Sequence, residues 1–223
     1  MRVRRLLAAV ITVGLVAPAA AIVSTAGTSA SAAVATSIVA SDPSRPLIYG
    51  SSNTVFGDNL YTSNIDIVGA DGSSPYGGTT TLQRQLAGES TWTTISTTSG
   101  AYVSSTGLKA EGNALYRITW SGSGNWTGSS ADVTVAVARD IDIDGISGKR
   151  AGFKGKIKPG EKVKIKVTKK VGKKYKKYKT FKSNKKGKFS FFLPAPRSGR
   201  FNWKMSFSGS TRFVGSSIKG YTY

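Results

Sequence analysis

The sequence predicts an all-β protein of two tandem sandwiches. Beyond the N-terminal segment, no window keeps apolar residues at helical spacing, while short runs rich in Val, Ile, Thr and aromatics alternate with Gly, Ser and Thr. In addition, one fifteen-residue pattern occurs twice, 87 residues apart. Together these observations describe short strands, frequent turns and a duplicated unit.

The N-terminus sets the expected compartment. Arg2, Arg4 and Arg5 precede an apolar stretch from Leu6 to Val23, and small residues follow up to Thr36. That order predicts a signal peptide over residues 1–32, cut before Ala33, and a secreted or extracellular protein that can associate with the cell wall. The alternative is an uncleaved anchor, which Pro18 and the small residues after it disfavour. No later stretch is apolar enough to span a membrane, so no transmembrane span is expected in the mature chain.

The first module is expected over residues 33–139. Its strands are expected at 65–68, 79–86, 91–97, 101–103, 114–120 and 131–138, with one or two more within 37–56. The second is expected over 140–223, with strands at 141–143, 151–157, 162–168, 175–181, 188–193, 202–207 and 216–221. The repeat lays Tyr116 to Ser130 over Trp203 to Ser217 without a gap, and Gly100-Ala-Tyr102 over Gly187-Lys-Phe189. Tyr116, Ile118 and Trp120, like Trp203, Met205 and Phe207, are spaced two apart and share one face of a strand, which marks them as core. A second reading gathers Trp120, Trp126 and Tyr102 into an exposed sugar-stacking platform.

These motifs carry a resemblance. Gly187-Lys-Phe-Ser-Phe-Phe-Leu-Pro194, followed by a Trp strand that ends in aromatic-Ser-Gly, resembles bacterial immunoglobulin-like repeat modules of secreted and surface proteins. The resemblance implies two tandem immunoglobulin-like β-sandwich domains that act as spacers, stalks, or binding and adhesion units. It carries over no functional residue, because such modules share no active site.

The charge is divided unevenly. The net charge is +21, yet residues 33–144 hold five basic against ten acidic side chains. Residues 145–223 hold twenty lysines and four arginines against Glu161 alone. Self-repulsion on that scale points to an anionic partner. Lysine is a hydrated point charge without the rigid fork of arginine, so the expected recognition is diffuse.

Alternation in Lys162-Val-Lys-Ile-Lys-Val-Thr168 sends Lys162, Lys164 and Lys166 to one face, and Lys154, Lys156 and Lys158 alternate likewise with Phe153, Gly155 and Ile157. If both strands share a sheet, the two stripes form one cationic plane, extended by Lys169, Lys170, Lys173, Lys174, Lys176, Lys177 and Lys179. The expected partner is an anionic polymer or anionic envelope surface. Tyr175, Tyr178 and Phe181 give a weaker case for nucleic acid by base stacking, although their spacing equally suits a core. The competing reading is that the lysines only solubilise the module and guard strand edges.

Chemistry is not expected. The chain has no histidine and no cysteine, which removes the commonest general base and all thiolate chemistry. The carboxylates show no pairing of the kind glycoside hydrolysis needs, so the protein is expected not to be an enzyme and to need no cofactor. Asp140, Asp142 and Asp144 with Gly145 match the first half of a calcium loop, but Ala151 stands where a bidentate Glu belongs. They are weak metal candidates, and an ordinary strand is the better reading.

Overall fold

The computed structural model describes residues 32–51, 65–104, 108–146, 151–193 and 200–222. The expected signal peptide lies outside the described residues except for Ala32. Ala32–Tyr223 form one compact unit. No described residue is helical, and no helix among them is long and apolar enough to cross a membrane.

The N-terminal half contains β1 (Thr36–Val39), β2 (Leu47–Ile48), β3 (Asp66–Gly69), β4 (Thr79–Leu86), β5 (Thr93–Ser99), β6 (Ala114–Ser123), β7 (Trp126–Val135) and β8 (Val137–Ala138). The C-terminal half contains β9 (Asp140–Ile146), β10 (Gly152–Lys158), β11 (Lys164–Val171), β12 (Lys174–Lys182), β13 (Lys188–Phe192), β14 (Phe201–Phe207) and β15 (Ser216–Thr222). The main sheets are ordered β5-β4-β6-β7 and β12-β11-β14-β15. Smaller sheets complete the layers: β1-β3 and the parallel pair β2-β8 in the first half, β13-β10-β9 in the second.

Both main sheets follow one plan. β4 meets β6 through Leu82↔Ile118, and β11 meets β14 through Val167↔Met205. The register between β4 and β5 slips after Leu82, and that between β11 and β12 slips after Val167, so even the bulge sits at the equivalent residue. A bulge bends and twists its strand, and both sheets curve over their cores at the same place.

Those cores follow strand alternation. Tyr116, Ile118 and Trp120 are buried on β6, as are Trp203, Met205 and Phe207 on β14. Each such side chain withdrawn from water stabilises the fold by about 1.5–3 kcal/mol. One hydrophobic cluster gathers Leu82, Ile118, Val133 and their neighbours, and another gathers Ile157, Ile165, Phe191, Met205 and theirs.

Phe213, from the loop between β14 and β15, belongs to the first cluster although it lies far along the chain from it. The same loop hydrogen-bonds to the first half through Asn113 N–H to Arg212 O (2.7 Å) and Val214 N–H to Val137 O (2.9 Å), and Arg212 pairs with Glu89.

Three expectations need correction. Residues 101–103 form no strand: past Gly100, at φ +121°, the chain leaves β5, and Val103 alone turns into the core. The proposed equivalence of Tyr102 and Phe189 therefore fails, since Phe189 is buried on β13 while Tyr102 is 58% exposed. The strand expected at 131–138 begins earlier, at Trp126, and breaks at Ala136, whose carbonyl accepts from Leu47 N–H as the chain moves to β2.

Candidate polyanion-binding face

The lysines of the second half divide between two sheets, because β10 and β11 are not neighbours. Ile157 on β10 and Phe191 on β13 reach the second cluster from one layer, Ile165 on β11 and Met205 on β14 from the other. The outer faces of these layers therefore point away from each other, and the single plane expected from Lys154 through Lys179 is two separate faces. Alternation places a side chain in or out, but it is silent on which sheet a strand joins.

The β13-β10-β9 face is nearly balanced in charge, with four lysines against three aspartates. Lys154, Lys156 and Lys158 stand opposite Asp144, Asp142 and Asp140 in the antiparallel ladder. Lys158 Nζ lies 2.9 Å from Asp140 Oδ2, and that hydrogen bond, with the attraction of the carboxylate, raises the Lys158 pKa above the ordinary lysine value. The aspartates that resembled half a calcium loop are strand residues facing ammonium groups. On the other side of β10, Lys156 faces Lys188.

The β12-β11-β14-β15 face has no such balance. Its four strands hold eleven lysines and no carboxylate, and the register places Lys164, Lys166, Lys170, Lys177, Lys182, Lys204 and Lys219 on the outer face. Lys164 opposes Lys182 and Lys204 opposes Lys219 on the outer face, whereas Lys169 opposes Lys176 on the side of the buried Trp203. Like charges directly opposite across a ladder repel. Thr168 lies between Lys177 on one side and Lys204 on the other, so cations extend across the sheet from edge to edge. Lys164, Lys166, Lys170, Lys174, Lys176, Lys177 and Lys179 are all exposed, and Lys169 is half-buried.

The remaining predicted lysines lie close by. Lys162 is exposed just before β11, and Lys173 occupies the two-residue turn after Gly172, whose φ of +60° fits a tight hairpin turn. Sequence reasoning missed Lys182, Lys204 and Lys219. Lys204 and Lys219 are single lysines within apolar and small-residue runs, and only strand pairing reveals that they join the face.

Glu161, the single acid of residues 145–223, is used elsewhere. Glu161 accepts from Arg139 Nε at 2.6 Å, and Arg139 also donates to Ser208 O and to Ser210 Oγ. With its side chain 4% exposed, Arg139 needs those partners, and they hold Glu161 to the junction.

The aromatics interleaved with the lysines are mostly occupied. Phe181 packs on Phe189 and Phe191, with ring centroids 6.3 and 5.2 Å apart, and Tyr178 meets Phe201 edge-on at 5.7 Å. Tyr175 and Tyr178 are exposed, while these contacts favour the core reading for Phe181. Trp120 likewise is 1% exposed and donates to Gly77 O at 3.1 Å, so it forms no part of an exposed platform.

No protein-family model matches the chain, and no curated protein matches it.

Proposed function

We propose that this is a non-catalytic, exported binding protein that docks to polyanions through the outer face of the β12-β11-β14-β15 sheet. The observation that carries the reading is a four-stranded sheet without a carboxylate whose outer face holds seven of its eleven lysines and two directly opposed lysine pairs. Such a surface stores repulsion that a polyanion relieves, and binding releases the polymer's condensed counterions. The point charge of lysine suits an irregular anionic polymer or surface better than a geometrically defined site. The basic N-terminus and the apolar run after it support export, and wall polymers or anionic envelope surfaces are then the accessible partners. We read the two halves as immunoglobulin-like modules with the second carrying the docking function.

The test is retention of the protein, from Ala33 onward, on heparin resin as salt is varied. The reading predicts an apparent affinity that falls steeply and linearly in a log-log plot, with a slope of at least about −3. Failure to bind at about 50 mM salt overturns it.

One observation favours a second reading. β12 is an edge strand, and every residue on it except Phe181 is exposed. Lysines on an edge block pairing with other strands, and in this reading they serve solubility in a spacer or adhesion module. It predicts aggregation, with no loss of ligand binding, when the β12 lysines are neutralised.

A further inference from the structure

The end of the first sandwich remote from Arg139 carries an aromatic surface that the polyanion reading does not use. Tyr76 is 70% exposed and Tyr102 58% exposed. Trp126, half-buried at the tip of the β6–β7 hairpin, meets Tyr76 edge-on, with centroids 4.6 Å apart and planes at 74°. An exposed aromatic group of this kind marks a binding surface more often than an isolated one does.

The rings are held in place. Trp126 Nε1 donates to Ser73 Oγ at 2.9 Å, and Ser73 N–H donates to Asp71 Oδ1 at 2.9 Å. Hydrogen bonds from the Ser73 hydroxyl and amide hold the Asp71 carboxyl below the usual aspartate range, so this anchor stays ionised at neutral pH. Tyr76 is fixed at its base, because Gly77 O accepts from the buried Trp120 and Gly77 lies so close to Ser123 that a Cβ there would stand 2.7 Å from its Oγ. Tyr102 reaches the same end: Gly100 N–H donates to Gly78 O at 2.9 Å, and the Tyr102 ring folds back over Gly100.

We propose that Tyr76, Trp126 and Tyr102 form a stacking site for a neutral hexopyranose polysaccharide. The apolar C–H face of a pyranose ring matches an immobilised aromatic face, and fixing the rings beforehand removes the entropy cost of ordering them on binding. A nucleic acid would stack equally well but needs cations beside the rings, and residues 65–104 contain a single basic side chain, Arg84, which is paired with Glu111. The neighbours Ser74 and Ser123 offer uncharged hydroxyls suited to sugar hydroxyls. This site stands on residues separate from the lysine face and does not depend on it.

The test is co-sedimentation of the protein from Ala33 onward, and of its Tyr76→Ala and Tyr102→Ala variants, with microcrystalline cellulose, chitin and granular starch at about 0.5 M salt, where the lysine contribution is screened. Both substituted side chains are exposed, and circular-dichroism melting verifies that each variant folds as the parent does. The proposal predicts retention of the parent on at least one of these polymers, and a roughly tenfold or greater loss of affinity in Tyr76→Ala. Absence of parent binding to all three, or binding of both folded variants at the parent's level, overturns it.

Discussion

The guanidinium of Arg139 lies over the ring of Phe213, 4.8 Å from its centroid, at the seam between the two hydrophobic clusters. Arg139 ends the first half of the chain, whereas Phe213 comes from the second half and completes the first cluster. Removing the Phe213 ring opens a cavity among Leu47, Val137 and their neighbours. Phe213→Ala is therefore expected to lose about 3–5 kcal/mol in urea unfolding. An unchanged midpoint would mean that the loop merely rests on the first half.

Repulsion on the basic face predicts a gain from charge reversal. Lys164→Glu places a carboxylate opposite Lys182 and is expected to stabilise the protein by about 0.2–1 kcal/mol at low salt. The same change at Lys154 sets a glutamate against Asp144 and is expected to destabilise it. Thermal melting of the two variants side by side checks the opposite signs.

The ion pair on the other face predicts a pH dependence. The Lys158 pKa is raised in the folded protein, first by its hydrogen bond to Asp140 and then by their attraction. A raised folded-state pKa stabilises the fold below the unfolded lysine value, and that contribution disappears as pH rises through the folded value. Asp140→Asn is expected to lower the Lys158 pKa in an NMR titration and to flatten the alkaline loss of stability. An unmoved Lys158 resonance would show that the pair does not persist in solution.

Gly187 opens β13 at φ +75°, in a turn where Asn184 Oδ1 accepts from Lys186 N–H and Lys188 N–H. A Cβ there would collide with the carbonyl oxygen of Ile157, to which no flexible side chain can yield. Gly187→Ala is expected to cost about 1–3 kcal/mol. Melting at the parent temperature would show that the turn can relax.

Much of the fold was legible in the sequence, and the physical reason is alternation. Tyr116, Ile118 and Trp120 declare an inward face because a strand repeats every two residues, and the second copy at Trp203, Met205 and Phe207 repeats the declaration. Sheet membership was not legible. Lys154 and Lys164 look alike in sequence, yet one faces Asp144 across its ladder and the other faces Lys182. Which strands pair depends on contacts distant along the chain, and local periodicity holds no record of them. For the same reason Phe213 gave no sign of crossing to the first core, Tyr76 none of meeting Trp126, and Lys204 and Lys219 none of joining the cationic face.

The most direct test compares two neutralised faces on heparin. One variant carries Lys164→Gln, Lys182→Gln, Lys204→Gln and Lys219→Gln; the other carries Lys154→Gln, Lys156→Gln and Lys158→Gln. The first is expected to elute much earlier and to lose about three to four units of log-log salt slope, while the second loses about one at most, because its lysines already face aspartates. Equal losses from both faces, or a greater loss from the second, would contradict the claim that the β12-β11-β14-β15 sheet is the docking surface.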